Sequence, residues 1–197
     1  PKDFQISTDN DYFHCTSNNT IFGTQMKSFP KTDSLLVCDM SSDIFSRQLD
    51  FSQFDLIYAG AQKNIGPAGL ALVIVRKDLL GQARASCPAM LNWDTAAANG
   101  SMYNTPPTFA VYLTGLVFEW LESMGGLEVM GATNARKAAR LYGQIDNSDF
   151  FSNPVSESAR SWMNVPFTLS DSALDKVFLE EAEQAGLTNL KGHRSVG

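Results

Sequence analysis

The sequence predicts an α/β fold, and three observations carry that reading. Short apolar runs rich in Val, Ile, Leu and aromatic residues alternate with turn residues through the first part of the chain. Two of these runs are apolar on both faces, as a sheet covered by helices on both sides requires. From Pro106 onward the apolar spacing changes to three and four residues, the period of a helix.

The strand candidates are Tyr12 to Cys15, Ser34 to Asp39, Phe54 to Ala59 and Gly69 to Val75, each too short for a helix. Leu35-Leu36-Val37-Cys38 and Leu70-Ala71-Leu72-Val73-Ile74-Val75 are the two that are apolar throughout. Phe109, Tyr112, Leu113, Leu116, Val117, Trp120 and Leu121 then mark one face of a long helix, expected to be a buried face. Pro106-Pro107 sets its start, and Gly125-Gly126 ends it. A second helix is expected from Leu127 to about Gly143, with Arg136, Lys137 and Arg140 in its C-terminal half, where the helix dipole favours cations. Beyond a turn-rich stretch from Asn147 to Pro154, Trp162 to Phe167 is a strand candidate. Leu174, Val177, Phe178, Ala182 and Ala185 have helical spacing closed by Gly186. These elements divide the chain into an α/β region, 1–126, and the beginning of a smaller α+β region, 127–197.

Composition narrows the partners. The chain has 197 residues, 44% of them apolar, and a formal charge of −6. That is ample for a packed core, and it argues against sequence-independent binding to nucleic acid, which needs a basic face. No uninterrupted apolar run reaches the roughly eighteen residues of a membrane span, and Pro1-Lys2-Asp3-Phe4 lacks the blocks of a secretory signal, so a cytoplasmic protein is expected. Cys15, Cys38 and Cys87 are widely spaced and read as free thiols in a reducing compartment. His14 and His193 stand in no metal-ligand spacing, so no metal site is expected.

The chemistry concentrates in Ala59-Gly60-Ala61-Gln62-Lys63-Asn64-Ile65-Gly66-Pro67-Ala68-Gly69. A lysine at the end of an apolar strand, among small residues, is placed where an amine can be desolvated and attack an aldehyde. Most lysines at strand ends are simply solvated. Asp39 ends another apolar strand, the position at which open α/β sheets bind ligands, although Ser41-Ser42-Asp43 after it would also suit a helix cap. An amine and a carboxylate together are what pyridoxal phosphate requires, one for its aldehyde and one to keep its ring nitrogen protonated. Gly66-Pro67-Ala68-Gly69 matches neither the Walker nor the dinucleotide fingerprint.

Val37-Cys38-Asp39-Met40-Ser41-Ser42 and Ile57-Tyr58-Ala59-Gly60-Ala61-Gln62-Lys63-Asn64-Ile65-Gly66 resemble the cofactor region of the phosphoserine aminotransferase family, class V pyridoxal-phosphate enzymes of fold type I. Ser101-Met102-Tyr103-Asn104-Thr105-Pro106-Pro107-Thr108-Phe109 and Lys191-Gly192-His193-Arg194-Ser195-Val196-Gly197 extend the resemblance, in the family's order, over essentially the whole chain. The resemblance implies an aspartate-aminotransferase-like large domain, a mostly parallel sheet between helices, followed by part of the small C-terminal domain. It implies amino transfer between L-glutamate and 3-phosphohydroxypyruvate, giving 2-oxoglutarate and O-phosphoserine in serine biosynthesis. In bacteria the family also serves pyridoxine biosynthesis.

Position by position, the resemblance makes Lys63 the Schiff-base lysine and proton shuttle, and Asp39 the partner of the pyridine nitrogen. Thr20 matches the residue near the ring hydroxyl, and Gln62 a cofactor-phosphate ligand. Asn104 and Thr105 match residues that reach the neighbouring subunit's cofactor phosphate, which implies a homodimer with shared active sites. His193 and Arg194 match the substrate-phosphate motif, where an imidazolium and a guanidinium suit a phosphate dianion. The family also carries a preceding portion, with a phosphate loop and a ring-stacking aromatic, and an arginine that would fall after Gly197, so both ends are expected to be truncations and the isolated chain to be inactive. A different class V aminotransferase or a desulfurase would keep Asp39 and Lys63 but not Gly192-His193-Arg194. A fragment that only dimerises would bind no cofactor.

Overall fold

The computed structural model describes residue 6 and residues 9–192. The chain divides into two compact units, one of residues 1–17 with 28–131 and one of residues 18–27 with 132–197. The last dividing point falls inside a helix, after Gly131, and the segment 18–27 joins the later part of the chain.

The first unit is built on a four-stranded sheet. Its strands are β1 (Tyr12–Thr16), β4 (Leu35–Asp39), β5 (Leu56–Gly60) and β6 (Ala71–Val75), in the order β1-β4-β5-β6. β1, β4 and β5 run parallel and β6 closes the edge antiparallel. The four strands predicted before Pro106 are all present, within two residues at either end. Because side chains alternate across a strand, Leu36, Cys38, Ile57 and Ala59 point to one face and are at most 3% exposed. Leu35, Val37 and Leu56, on the other face, are only half-buried. Cys15 and Cys38 are direct partners in the parallel register, and the hydrogen bond to Cys15 together with burial pushes the Cys38 thiol far above its ordinary range. Cys15, Cys38 and Cys87 are all free thiols.

Two helices of this unit follow the sheet: α1 (Trp93–Ala98), capped by the Asn92 side chain, and α2 (Thr108–Ser123). Gly125, at φ 98, lies just past the end of α2, in the left-handed conformation that ends many helices. α2 meets the rest of the unit through Phe118, whose ring stands edge-on to Phe45 at 5.4 Å, and through Thr114, which packs on Gly66. The apolar stripe expected to be buried is buried only in part, with Leu121 buried and Leu113 and Val117 half-buried. Ala110, Thr114 and Leu121 are the buried positions, whereas Phe109, Tyr112, Leu116 and Trp120 are 72%, 61%, 41% and 51% exposed. The periodicity marked an apolar face correctly, but the small residues Ala110 and Thr114 provide the close contact, and no described element covers the large ones.

In the second unit, β2 (Asn18–Asn19) and β3 (Thr24–Gln25) form a short antiparallel pair that the sequence reading did not anticipate. Gly23 holds φ 62, and a Cβ there would stand 2.2 Å from the Pro166 ring, so both the turn and the packing demand glycine. α3 (Gly126–Asp146) begins in the first unit and ends in this one, three residues beyond the expected end. Tyr142 of this helix donates its hydroxyl to the Ser161 carbonyl at 2.9 Å, and Arg160 forks onto Asp146 at 2.5 and 2.7 Å.

The strand expected at Trp162 to Phe167 is absent. The Ser161 hydroxyl accepts the backbone N–H groups of Met163 and Asn164 at 3.0 and 3.1 Å, and Pro166 has no N–H to give a ladder. Pairing starts just after it, between β7 (Phe151–Ser152) and β8 (Thr168–Leu169). α4 (Asp175–Gln184) ends as its Gly186 suggested. Gly186 at φ 85 donates to the Glu183 carbonyl and Leu187 to that of Ala182, the paired bonds of a Schellman motif. Phe151, Phe167 and Phe178 pack edge to face, with centroids 5.5 to 5.9 Å apart.

Candidate active site

Asp39 is the last residue of β4, and Lys63 lies three residues past the end of β5, the next strand and parallel to it. Both therefore stand at the carboxyl edge of the sheet, where the chain leaves the strands and backbone groups become available to a ligand. Two loops carry them, 40–47 after β4 and 61–66 after β5, and the loops are tied together. Met40 N–H donates to the Tyr58 carbonyl at 2.9 Å, Gly60 N–H to the Ser41 hydroxyl at 3.0 Å, and the Asn64 amide to the Ile44 carbonyl at 2.6 Å. The Ala61 carbonyl accepts from both Ile65 and Gly66, winding the lysine loop into one tight turn.

Below the loops lies a fully buried layer of Met40, Ile44, Ala61 and Ile65, together with Asp43. The Asp43 carboxylate accepts from the Ser17 hydroxyl and lies 3.9 Å from the Arg47 guanidinium, whose side chain is 10% exposed. A buried carboxylate without such partners would be strongly disfavoured, so this cluster fixes one arrangement of the 40–47 loop. Phe45 within it holds φ 58, a conformation a bulky residue rarely adopts, and it is gripped by rings from Phe51 and Phe118 at 5.9 and 5.4 Å.

One Asp39 oxygen accepts the Ser41 N–H at 2.8 Å. Asp39 pairs in register with Thr16 on one side and Tyr58 on the other. Tyr58 and His14, two strands apart, meet over β4: the His14 Nε2 lies 3.1 Å from the Tyr58 hydroxyl, with the rings stacked at 5.9 Å. Burial, and after it the nearby Asp39 carboxylate, pushes the Tyr58 hydroxyl above its ordinary pKa.

The structure thus brings Asp39 and Lys63 to one edge, and places the remaining expected residues less centrally. Lys63 and Gln62 are exposed, so the desolvation that would activate an amine is not supplied by the described residues. The Gln62 side chain turns back over Gly60, its amide oxygen 2.9 Å from where a Cβ would stand. Asn104 and Thr105 lie on the exposed stretch between α1 and α2. Thr20 is exposed in the second unit, in the β2-β3 turn, where the Asn19 side chain accepts from Ile21 and Phe22. His193 and Arg194 lie outside the described residues.

Sequence reasoning missed Tyr58, His14 and the Ser17–Asp43 contact. A signal existed for the first: Tyr58 and Gly60 share one face of β5 by parity. Nothing in the sequence shows that His14 would be the residue facing it across another strand. Beside Lys63, a shallow depression of about 480 Å³ is lined by Asn64, Gly66, Pro67, Leu113, Val117 and Trp120. Chemically, the edge offers a carboxylate able to hold a protonated nitrogen and a primary amine able to add to a carbonyl.

The sequence model of the aminotransferase class-V family matches residues 3–197. The phosphoserine aminotransferase of Stutzerimonas stutzeri is 62% identical over 196 residues, covering 99% of this chain and 54% of its own length. The chain therefore spans about half the length of the curated relatives it matches. Among solved structures, the phosphoserine aminotransferase of Bacillus circulans subsp. alkalophilus superimposes with a TM-score of 0.94 at 47% identity, over 98% of this chain and 54% of that one. The pyridoxal-phosphate-bound phosphoserine aminotransferase of Trichomonas vaginalis gives 0.92 at 39% identity, over 98% and 56%.

Proposed function

Because this chain belongs to the aminotransferase class-V family, we propose that the protein carrying it is a phosphoserine transaminase, moving the amino group of L-glutamate to 3-phosphohydroxypyruvate in serine biosynthesis. The observation that carries the reading is the pair of Asp39 and Lys63 at the ends of adjacent parallel strands, on two loops locked by hydrogen bonds. These residues fit pyridoxal phosphate as cofactor. The donor set combines an acceptor for a ring N–H with an amine for an aldehyde, both at the carboxyl edge of the sheet. When bound, the cofactor supplies an electron sink for the carbon that loses its proton.

In this reading Lys63 holds the cofactor aldehyde covalently. The same amine is the group that would take up and deliver the proton of the substrate α-carbon. Asp39, held by Ser41 N–H, keeps the ring nitrogen protonated. Gln62 binds the cofactor phosphate, and Thr20 the region of the ring hydroxyl. Asn104 and Thr105 reach the cofactor phosphate of a second subunit in a homodimer, a role their exposed position allows. The uncovered apolar residues of α2, directly after that stretch, support the same assembly. His193 and Arg194 bind the substrate phosphate. Residues 1–126 are then part of a large cofactor-binding domain and 127–197 part of a small C-terminal one. A cytoplasmic location is in keeping with the absence, among the described residues, of a helix long and apolar enough to cross a membrane.

The test is covalent. In the protein expressed from the full reading frame containing this chain, incubation with pyridoxal phosphate, borohydride reduction and peptide mass mapping should give an adduct at Lys63, and Lys63→Ala should abolish it while lowering turnover by about 10³-fold or more. An adduct elsewhere, or wild-type turnover in the variant, would defeat the assignment.

A further inference from the structure

We propose that Tyr58 and His14 are positioning residues for Asp39, forming a relay across β4 in which His14 holds the Tyr58 hydroxyl and that hydroxyl holds the carboxylate. The proposal rests on the reading of Asp39 as the partner of the cofactor ring nitrogen.

The argument begins with register. His14, Val37 and Leu56 lie in one row of the sheet, and Thr16, Asp39 and Tyr58 in the next row on the same face. Neighbouring strands are about 4.8 Å apart, so β1 and β5, on either side of β4, are separated by roughly twice that. Side chains from the two strands can meet only if both are long and lean toward each other. His14 and Tyr58 do so, to 3.1 Å, and their stacked rings bridge the strand that carries Asp39.

Proton bookkeeping sets the direction. A tyrosine hydroxyl has one hydrogen, and an ionised carboxylate can only accept. If Tyr58 donated to His14 it would turn an oxygen lone pair toward Asp39. The favourable arrangement has His14 carrying its proton on Nε2 and donating to the Tyr58 oxygen, which leaves the hydroxyl hydrogen for Asp39. A tyrosine hydroxyl keeps its hydrogen through the neutral range, and burial with the nearby carboxylate only strengthens that hold. Ser41 N–H fixes one carboxylate oxygen from the loop side. Tyr58 stands beside Asp39 in direct register, and in the relay its hydroxyl restrains the carboxylate from the sheet side, so that the aspartate is held by groups independent of any ligand.

The experiment uses the protein expressed from the full reading frame containing this chain, loaded with pyridoxal phosphate labelled with ¹⁵N in the ring. Tyr58→Phe keeps the ring and removes the oxygen. It should leave the borohydride-trapped adduct at Lys63 intact, weaken cofactor affinity by about tenfold, and move the ring ¹⁵N resonance toward the unprotonated pyridine position. His14→Ala should move it the same way by less, and should add nothing in the Tyr58→Phe background, because His14 acts through Tyr58. His14→Gln, which keeps a donor, should restore most of the change. Should Tyr58→Phe not fold, His14→Ala read against His14→Gln carries the same test. An intact adduct with an unmoved resonance overturns the relay alone. No adduct at Lys63 in the unmodified protein overturns the cofactor reading and the relay with it.

Discussion

The two loops at the carboxyl edge of the sheet and the α2 segment lie in the same unit, and they are built in opposite ways. Loops 40–47 and 61–66 carry a fully buried layer beneath them, three hydrogen bonds from one strand-end region to the other, and a buried carboxylate with its partners. The stretch from Ser101 to Thr105 is exposed throughout, and α2 turns its largest apolar side chains outward. Both regions are rich in residues that the family resemblance assigns to the site. The difference teaches that this chain determines its own placement of Asp39 and Lys63, whereas Asn104, Thr105 and the large apolar side chains of α2 are left uncovered by the described elements.

Four substitutions would break or sharpen that contrast. The largest effect on stability is expected from Asp43→Ala, which strips a buried guanidinium of its countercharge and should cost about 3 kcal/mol or more in chemical denaturation. A loss under about 0.5 kcal/mol, the level of an ordinary surface change, would mean that the loop is not held from below. Next comes Gly66→Ala. Its Cβ would stand 2.2 Å from the Thr114 Oγ1 on a stiff β-branched side chain, so a loss of about 1–3 kcal/mol is expected, with the docking of α2 on the lysine loop as its cause.

Asp146→Asn calibrates the first result against an exposed pair in the other unit. The hydrogen bond from Arg160 holds the Asp146 carboxyl below its ordinary pKa. Its contribution is therefore present above the usual carboxylate range and fades as pH falls through the depressed value. Thermal melts of parent and variant should differ slightly at neutral pH and converge in acid; a gap that persists in acid would point to a cause other than the ion pair. The smallest effect on folding is expected from Leu116→Ser. At 41% exposure it should change stability by less than about 0.5 kcal/mol, while sedimentation should show weaker self-association if the stripe is a subunit contact. A large loss of monomer stability would show instead that the stripe belongs to the core.

Much of this was legible before any coordinates. The four strands announced themselves as short apolar runs bounded by turn residues, two of them apolar at consecutive positions. α2 and α4 were legible from period and from terminal glycines, which encode a local conformation that few other residues adopt. Asp39 and Lys63 were legible as candidates because each follows an apolar run and so falls at a strand end. The Trp162 to Phe167 strand failed for a local reason, a serine side chain competing for backbone N–H groups before a proline. The exposed face of α2 failed for a global one. Periodicity reports that a face is apolar, and is silent on what covers it.

By itself, then, the sequence determined the elements and the order of its chemical groups along the chain, since propensity, period and turn chemistry act over a few residues. Only the tertiary structure decided the rest. It put β4 between β1 and β5, so that residues 44 positions apart, His14 and Tyr58, meet across the strand that ends in Asp39. It buried Asp43 against Ser17, and it locked the aspartate loop to the lysine loop. Those outcomes depend on strand order and on contacts between distant segments, which no local pattern encodes.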